Sequence, residues 1–435
     1  MKIKFLDQNE KKIYIFLIFI IFVSYFIGFY FQENSAGGAI VDFENTKRNL
    51  LTFKNNSFFD AIKATTSKDP EIFRSTRAPG FYVFNKYLNP FVLDFRLHQL
   101  FISFISLFIV FFLFLNLKIK FNKENNYVLL FLSSIVLLSP YLRSSAYWGN
   151  EENLGILIAS ISSLFFQLYF KELSRTKELY NLILMALFSS LVVYCDQKLI
   201  IVPLFFLISI LFSKKNIKDK IFLIILYLIF SIPFLFLIKL WGGIVPTADG
   251  LNRKINFNIY SLNYHYFLFS ISIISFYLFP FSFFLNERKK NILRLIKLKE
   301  NYFISAIFLI ALTYFLFFFN FENFYYLGGG VFHQISKILF DNIILKKIFL
   351  SLVFIFSWIL FLLFKNNSMI NFLILIFFPV FSLIISPALF QEYFDPIFFI
   401  IILLYLNNKF IFNLKSNLFI FSYFTFFLFI GIIYY

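Results

Sequence analysis

Charge is scarce in this chain. Asp, Glu, Lys and Arg make up 14% of 435 residues, and only 23 of them are acidic against 40 basic. With 60% hydrophobic residues and a mean hydropathy of +0.79, no stretch is polar and long enough to form a large soluble domain. One cysteine, Cys195, excludes an intrachain disulfide and every multi-cysteine metal or redox motif. The three histidines, His98, His265 and His333, include no pair at metal-ligand spacing. Gly328–Gly330 has neither the lysine nor the hydroxyl residue of a phosphate-binding loop, and no tandem repeat is visible.

What the chain does contain is apolar runs of roughly 15 to 22 residues, the length that crosses a bilayer as a helix. They lie near residues 13–31, 97–117, 126–139, 153–170, 180–194, 199–213, 221–240, 266–285, 302–319, 348–364, 369–390, 397–406 and 418–435. The expectation is an all-α polytopic membrane protein, a single integral domain over 1–435, with about 13 spans in a range of about 11 to 14. The 74 phenylalanines accompany abundant Ile, Asn and Lys, the residues of A/T-rich codons, so the aromatic excess reads first as genome bias. No small-residue cleavage pattern follows the first run, which is therefore expected to stay as an uncleaved span.

Alternating the direction of these runs gathers "KIKFNKEN", "KELSRTKEL", "SKKNIKDK" and "NERKKNILRLIKLKEN" on the side of the lysine-rich N-terminus. By the positive-inside rule that side is cytoplasmic, with about 23 Lys/Arg against about 8 Asp/Glu there and about 17 against about 15 outside. A net charge of +17 would suggest nucleic acid in a soluble protein; here the cations follow the membrane, and no nucleic-acid partner is expected. The longer polar segments, 32–96, 241–265 and 320–347, fall outside. Loops of that length without low-complexity character are more often functional than idle.

Carboxylates and cations recur at the outer ends of the spans, where a charge at membrane depth is costly unless it faces water. "GGAIVDFENTK" carries Asp42 and Glu44, and "RSTRAPGFYVFNKYL" carries Arg74 and Arg77 ahead of an amphipathic stretch expected to lie in the interface. "SPYLRSSAYWGNEENLG" holds Arg143, Trp148, Asn150, Glu151 and Glu152, and "YCDQK" holds Asp196, Gln197 and Lys198. "WGGIVPTADGLNRK" brings Gly242, Gly243 and Arg253, with His265 after it, and "FQEYFDP" brings Glu392 and Tyr393. Taken singly, each acid reads as a solvated charge and each histidine as an interfacial side chain. Together, six such ends suit an anionic headgroup and a polyhydroxyl substrate.

This layout resembles the GT-C superfamily of integral-membrane glycosyltransferases, which use polyprenyl-phosphate-linked sugars. "WGGIVPTADG" and "YSLNYHYFLFS" are similar to segments of the dolichyl-phosphate-glucose alpha-1,2-glucosyltransferase family, as are "RSTRAPGFYVF", "YCDQKLIIVP" and "QEYFDPIF". The family's adjacent aspartate-glutamate pair is followed by histidine, whereas here Asp42 and Glu44 flank Phe43, and Asp196 stands where the family has arginine.

With the A/T-rich composition, short cytoplasmic loops and lysine-rich N-terminus, the resemblance leads to the expectation of a bacterial relative that builds cell-surface glycan, its N-terminus cytoplasmic and its site on the outer face of the inner membrane. The expected reaction is single-step, inverting transfer from a polyprenyl-phosphate sugar to a glycan or lipid-linked acceptor, with no cofactor and no required metal. Asp42, seconded by Glu44, would take the acceptor's proton. Arg77, Arg143, Lys198 and Arg253 would bind the donor phosphate. Arg74, Trp148, Asn150, Glu151, Asp196, Gln197, Gly242, Gly243, His265, Glu392 and Tyr393 would contact substrate. The alternatives are an O-antigen-type polymerase or ligase, and a lipid-linked glycan flippase or other transporter. A transporter would line the bilayer midplane with charge, and mid-span charges here are few.

Overall fold

Where they are described, the apolar runs of the sequence are largely helical in a computed structural model, which describes residues 6–67, 69, 71–172, 174–246, 264–285, 299–324, 328–365, 368–383 and 389–434. Among the described residues the only β pairing is the single bridge Leu285–Phe410. Nine helices among the described residues are long and apolar enough to cross a membrane, against the thirteen runs expected. A tenth candidate is a bent pair: the segment Asn126–Leu138 meets Pro140–Trp148 at 68°. Pro140 causes the break, because it has no N–H for the preceding turn, and Ser139 restarts the chain by accepting the Leu142 N–H at 3.0 Å. The remaining expected runs form shorter pieces: Ile201–Leu211, Met369–Ser382, and Ile397–Ile400 continued by a π-helical turn to Tyr405.

Two compact units divide the chain: 1–252 with 421–435, and 253–420. In the first, the helices are α1 (Gln8–Tyr30), α2 (Ala39–Asn55), α3 (Phe58–Ala64), α4 (Gly80–Leu88), α5 (Phe95–Lys120), α6 (Asn126–Ser134), α7 (Pro140–Trp148), α8 (Glu152–Lys171), α9 (Arg175–Cys195), α10 (Ile201–Leu211) and α11 (Ile217–Trp241). α1 begins in a capping box in which Asp7 accepts from the Glu10 N–H and Glu10 reaches back. Its Phe16 and Phe19 stay exposed, as lipid-facing residues of a span should.

The span ends that alternation assigns to one side are tied together. At the lysine-rich end, Arg175 pairs with Asp219 and Glu178, Lys215 pairs with Glu178, and the Tyr169 hydroxyl donates to Asp219 at 3.2 Å. At the other end, the Tyr147 hydroxyl donates to the Tyr25 carbonyl and the Tyr25 hydroxyl to the Ser103 carbonyl, joining α7, α1 and α5. Here α2 to α4 fold over the helix ends around Phe53, Phe73, Phe81, Tyr82 and Trp241, and the Trp241 indole donates to Thr65 at 2.8 Å.

In the second unit, α12 (Tyr264–Phe281) is buried along most of its length. The unit also contains α13 (Lys299–Phe318), α14 (Gly330–Leu339), α15 (Ile343–Lys365), α16 (Met369–Ser382), α17 (Ile397–Ile400) and the first turns of α18 (Leu414–Tyr434). Gly329 and Gly330 adopt positive φ and dock against the 389–395 segment: the Gly329 N–H donates to the Leu389 carbonyl and the Val331 N–H to Gln391. A side chain at Gly330 would strike Ile273 and Gln391, which explains the glycine there.

Candidate active site

Three features of local sequence assemble a charged cluster in the first unit. First, α7 ends at Gly149 in the left-handed conformation, and the chain turns so that the Asn150 N–H donates to the Ser145 carbonyl. Glu151 and Glu152 are thereby set at the start of α8, where the positive end of the backbone dipoles favours negative charge. Second, Gly155 lets α8 approach the end of α9, since a Cβ there would lie 2.7 Å from Leu199; Asp196 is thus brought beside the two glutamates. Third, Gly80 permits α4 to start directly on α9: a Cβ would stand 2.4 Å from the Tyr194 carbonyl oxygen. The Ala78 N–H just ahead of it donates to Gln197 at 3.1 Å, and so the "RAPG" segment delivers Arg77.

Arg77 touches all three acids: Glu152 through Nη2, Asp196 at 3.6 Å and Glu151 at 3.8 Å. Lys198 Nζ lies 3.1 Å from Asp196, whose other oxygen accepts the Lys198 N–H. Glu151 is held by neutral donors, the Tyr82 hydroxyl at Oε1 and the Ser75 hydroxyl at Oε2 at 3.1 Å. Asn49 supports Tyr82 by donating to its oxygen at 2.7 Å, and Ser145 donates to Glu152 at 2.6 Å. Among the described residues, three carboxylates face two cations, so one negative charge is left over. Burial, opposed by Arg77 and by the Tyr82 hydroxyl, pushes Glu151 up to about 7. Burial and then the Glu151 charge push the Tyr82 phenol well above its usual value.

Of the residues singled out in the sequence, Arg77, Glu151, Asp196, Gln197 and Lys198 therefore converge. Asp42 and Glu44 sit on exposed positions of α2, and Glu44 pairs with Lys47 at 2.7 Å. Trp148 packs on Phe43 of the same helix, and Asn150 binds α2 through the Ala39 carbonyl and Thr46. Arg74 is exposed, its backbone bonded in both directions to Asn49. Gly242, with positive φ, ends α11, and Gly243 faces open space. His265, Glu392 and Tyr393 belong to the second unit, His265 among Tyr266, Phe319 and Phe324 and the other two on a short 3-10 turn. Arg253 lies outside the described residues.

Arg143 requires a correction. It is buried, and its five N–H groups are all used: two on Glu33, two on the Ser24 hydroxyl and carbonyl, one on the Leu137 carbonyl. A guanidinium so committed has no donor left for a substrate phosphate; its role is to lock the end of α1 against α7. His98 is likewise structural, donating from Nε2 to the Gly149 carbonyl while Nδ1 accepts from Asn89.

Sequence reasoning missed Ser75, Tyr82 and Asn49, because a hydroxyl or amide in an aromatic, interface-like stretch carries no signal until its partner is known. It also missed Glu33, although a carboxylate three residues past a span end is the same signal that marked the others. Comparison with family models, with curated proteins and with solved structures gives no match.

Proposed function

We propose that this chain is a membrane glycosyltransferase of GT-C type, moving a sugar from a polyprenyl-phosphate donor to a glycan or lipid-linked acceptor by inverting displacement. The observation that carries the reading is the Arg77, Lys198, Glu151, Glu152 and Asp196 cluster at the ends of membrane-length helices. Such a reaction needs a base for the acceptor hydroxyl and cations for the departing phosphate, both fixed at the depth set by the donor's lipid tail. Arg77 and Lys198 have side chains one-fifth exposed, which lets them meet a phosphate while their carboxylate partners hold them in place. Two sets of acids are at hand for the proton: Asp42 with Glu44 on the outer face of α2, and the buried acids of the cluster. The site faces outward in a bacterial inner membrane on this reading, because the lysine-rich ends of the same helices lie opposite.

The test is mass spectrometry of surface glycans from a strain lacking the gene, with and without the wild-type chain. Loss of one sugar from an otherwise intact glycan, restored by the wild type, is the expected result. Shortened chains of an unchanged repeat unit would make the protein a polymerase instead, and an unaltered glycan would remove the transferase reading.

A further inference from the structure

The surplus charge of the cluster has one natural owner. Glu152 and Asp196 are each matched to a cation, by Arg77 Nη2 and by Lys198, whereas Glu151 stands farthest from Arg77 and accepts mainly from two hydroxyls. From the reading of the chain as a lipid-phosphate-dependent glycosyltransferase we infer that Glu151, rather than Asp42, is the base that takes the acceptor's proton. A carboxylate whose one cation is shared with two other acids, and bonded most closely to another of them, has the higher proton affinity of the set, and such a carboxylate is suited to general base work. Among the described residues, the titratable and polar groups that act on Glu151 are Tyr82 from α4, Ser75 and Arg77 from the preceding segment, Glu152 from α8, and Cys195 at the end of α9.

The Ser75 hydroxyl, 3.1 Å from Oε2, marks where a donor hydroxyl sits against Glu151. An acceptor alcohol takes that position when the Ser75 side chain turns aside, with Arg77 left in place. Its O–H bond then breaks with the proton passing to Oε2, its oxygen bonds to the anomeric carbon, and the carbon–oxygen bond to phosphate breaks with its electron pair leaving on the polyprenyl phosphate. Arg77 and Lys198 face that charge, and Glu151 returns the proton to water.

Two measurements test this on the full chain. Infrared difference spectra of the purified protein in lipid nanodiscs, titrated from pH 5 to pH 9, should show a carboxylic-acid carbonyl band lost with a midpoint near 7 and missing in Glu151→Gln. Absence of that band from the wild type, or its persistence in the variant, overturns the proposal. In the deletion strain, Glu151→Gln should restore less than about one-hundredth of the missing sugar while reaching the membrane folded, and Glu151→Asp should restore a measurable part. Glu71→Gln, which breaks only the exposed pair with Arg48, should restore it fully. Full restoration by Glu151→Gln, with loss in Asp42→Asn, gives the base role to Asp42 and leaves the transferase reading standing. If the wild type changes no glycan, the transferase reading itself falls, and the base assignment with it.

Discussion

Replacing Glu151 by Gln removes a buried carboxylate while keeping its shape, and the consequence depends on pH with a definite sign. Glu151 is 5% exposed, and burial lifts its pKa from the usual 4.5 to about 7. Between those values the folded chain holds a proton that the unfolded chain releases, so stability falls as pH rises through the window and stays low above it. A shift of about 2.5 units is worth about 3 kcal/mol, of which about 2.5 kcal/mol is lost between pH 5 and pH 8. For a unit of this size that corresponds to a fall in Tm of roughly 5 to 10 °C. The assay is tryptophan fluorescence during heating of the protein in nanodiscs, at matched ionic strength from pH 5 to pH 8. Other groups titrate alike in both chains, so the reading is the difference: the Tm of wild type should fall relative to that of Glu151→Gln over that range, until the variant stands above wild type at pH 8. A difference between the two chains that does not change with pH would refute the argument that burial raises the proton affinity of this carboxylate.

The remaining predictions concern what builds the cluster. Gly80→Ala places a Cβ 2.4 Å from the backbone oxygen of Tyr194, which cannot swing aside, so it should cost about 1 to 3 kcal/mol and lower Tm by several degrees. Gly243→Ala, with open space around it, should leave Tm unchanged in the same experiment. Arg143→Met strands the Glu33 carboxylate and should cost about 3 to 5 kcal/mol; the double change Glu33→Gln with Arg143→Met should recover much of that in a thermal double-mutant cycle. Arg77→Lys keeps the charge but lacks the planar fork that reaches three acids, so it should lower glycan restoration more than Lys198→Arg does.

The helical class and the position of each apolar run were legible because a bilayer demands length and apolarity, and both are written residue by residue. Less was visible in how each run is built. Pro140 breaks the run by its chemistry, but the 68° at which the two pieces meet is set by packing between distant segments, the Arg143–Glu33 pair among the contacts there. Charges near span ends singled out Arg77, Glu151, Asp196 and Lys198, four residues that the fold brings together. Which of them meet was not legible, because it is set by close approaches at Gly80 and Gly155 between helices far apart in sequence. Arg143 looked the same as Arg77 by sequence position; one is enclosed by α1 and α7, and the other reaches a cluster with a surplus of acid.

The most direct test of the account is turnover by the purified protein in proteoliposomes. A panel of short-chain polyprenyl-phosphate sugars is supplied together with acceptor lipid extracted from the deletion strain, and polyprenyl phosphate is measured by liquid chromatography and mass spectrometry. The account predicts that wild type releases polyprenyl phosphate from one member of the panel only when acceptor is present, and that Glu151→Gln releases less than about one-hundredth as much. Release from no member of a panel spanning the common hexoses, pentoses and amino sugars, by protein whose pH-dependent Tm shows it folded, would contradict it.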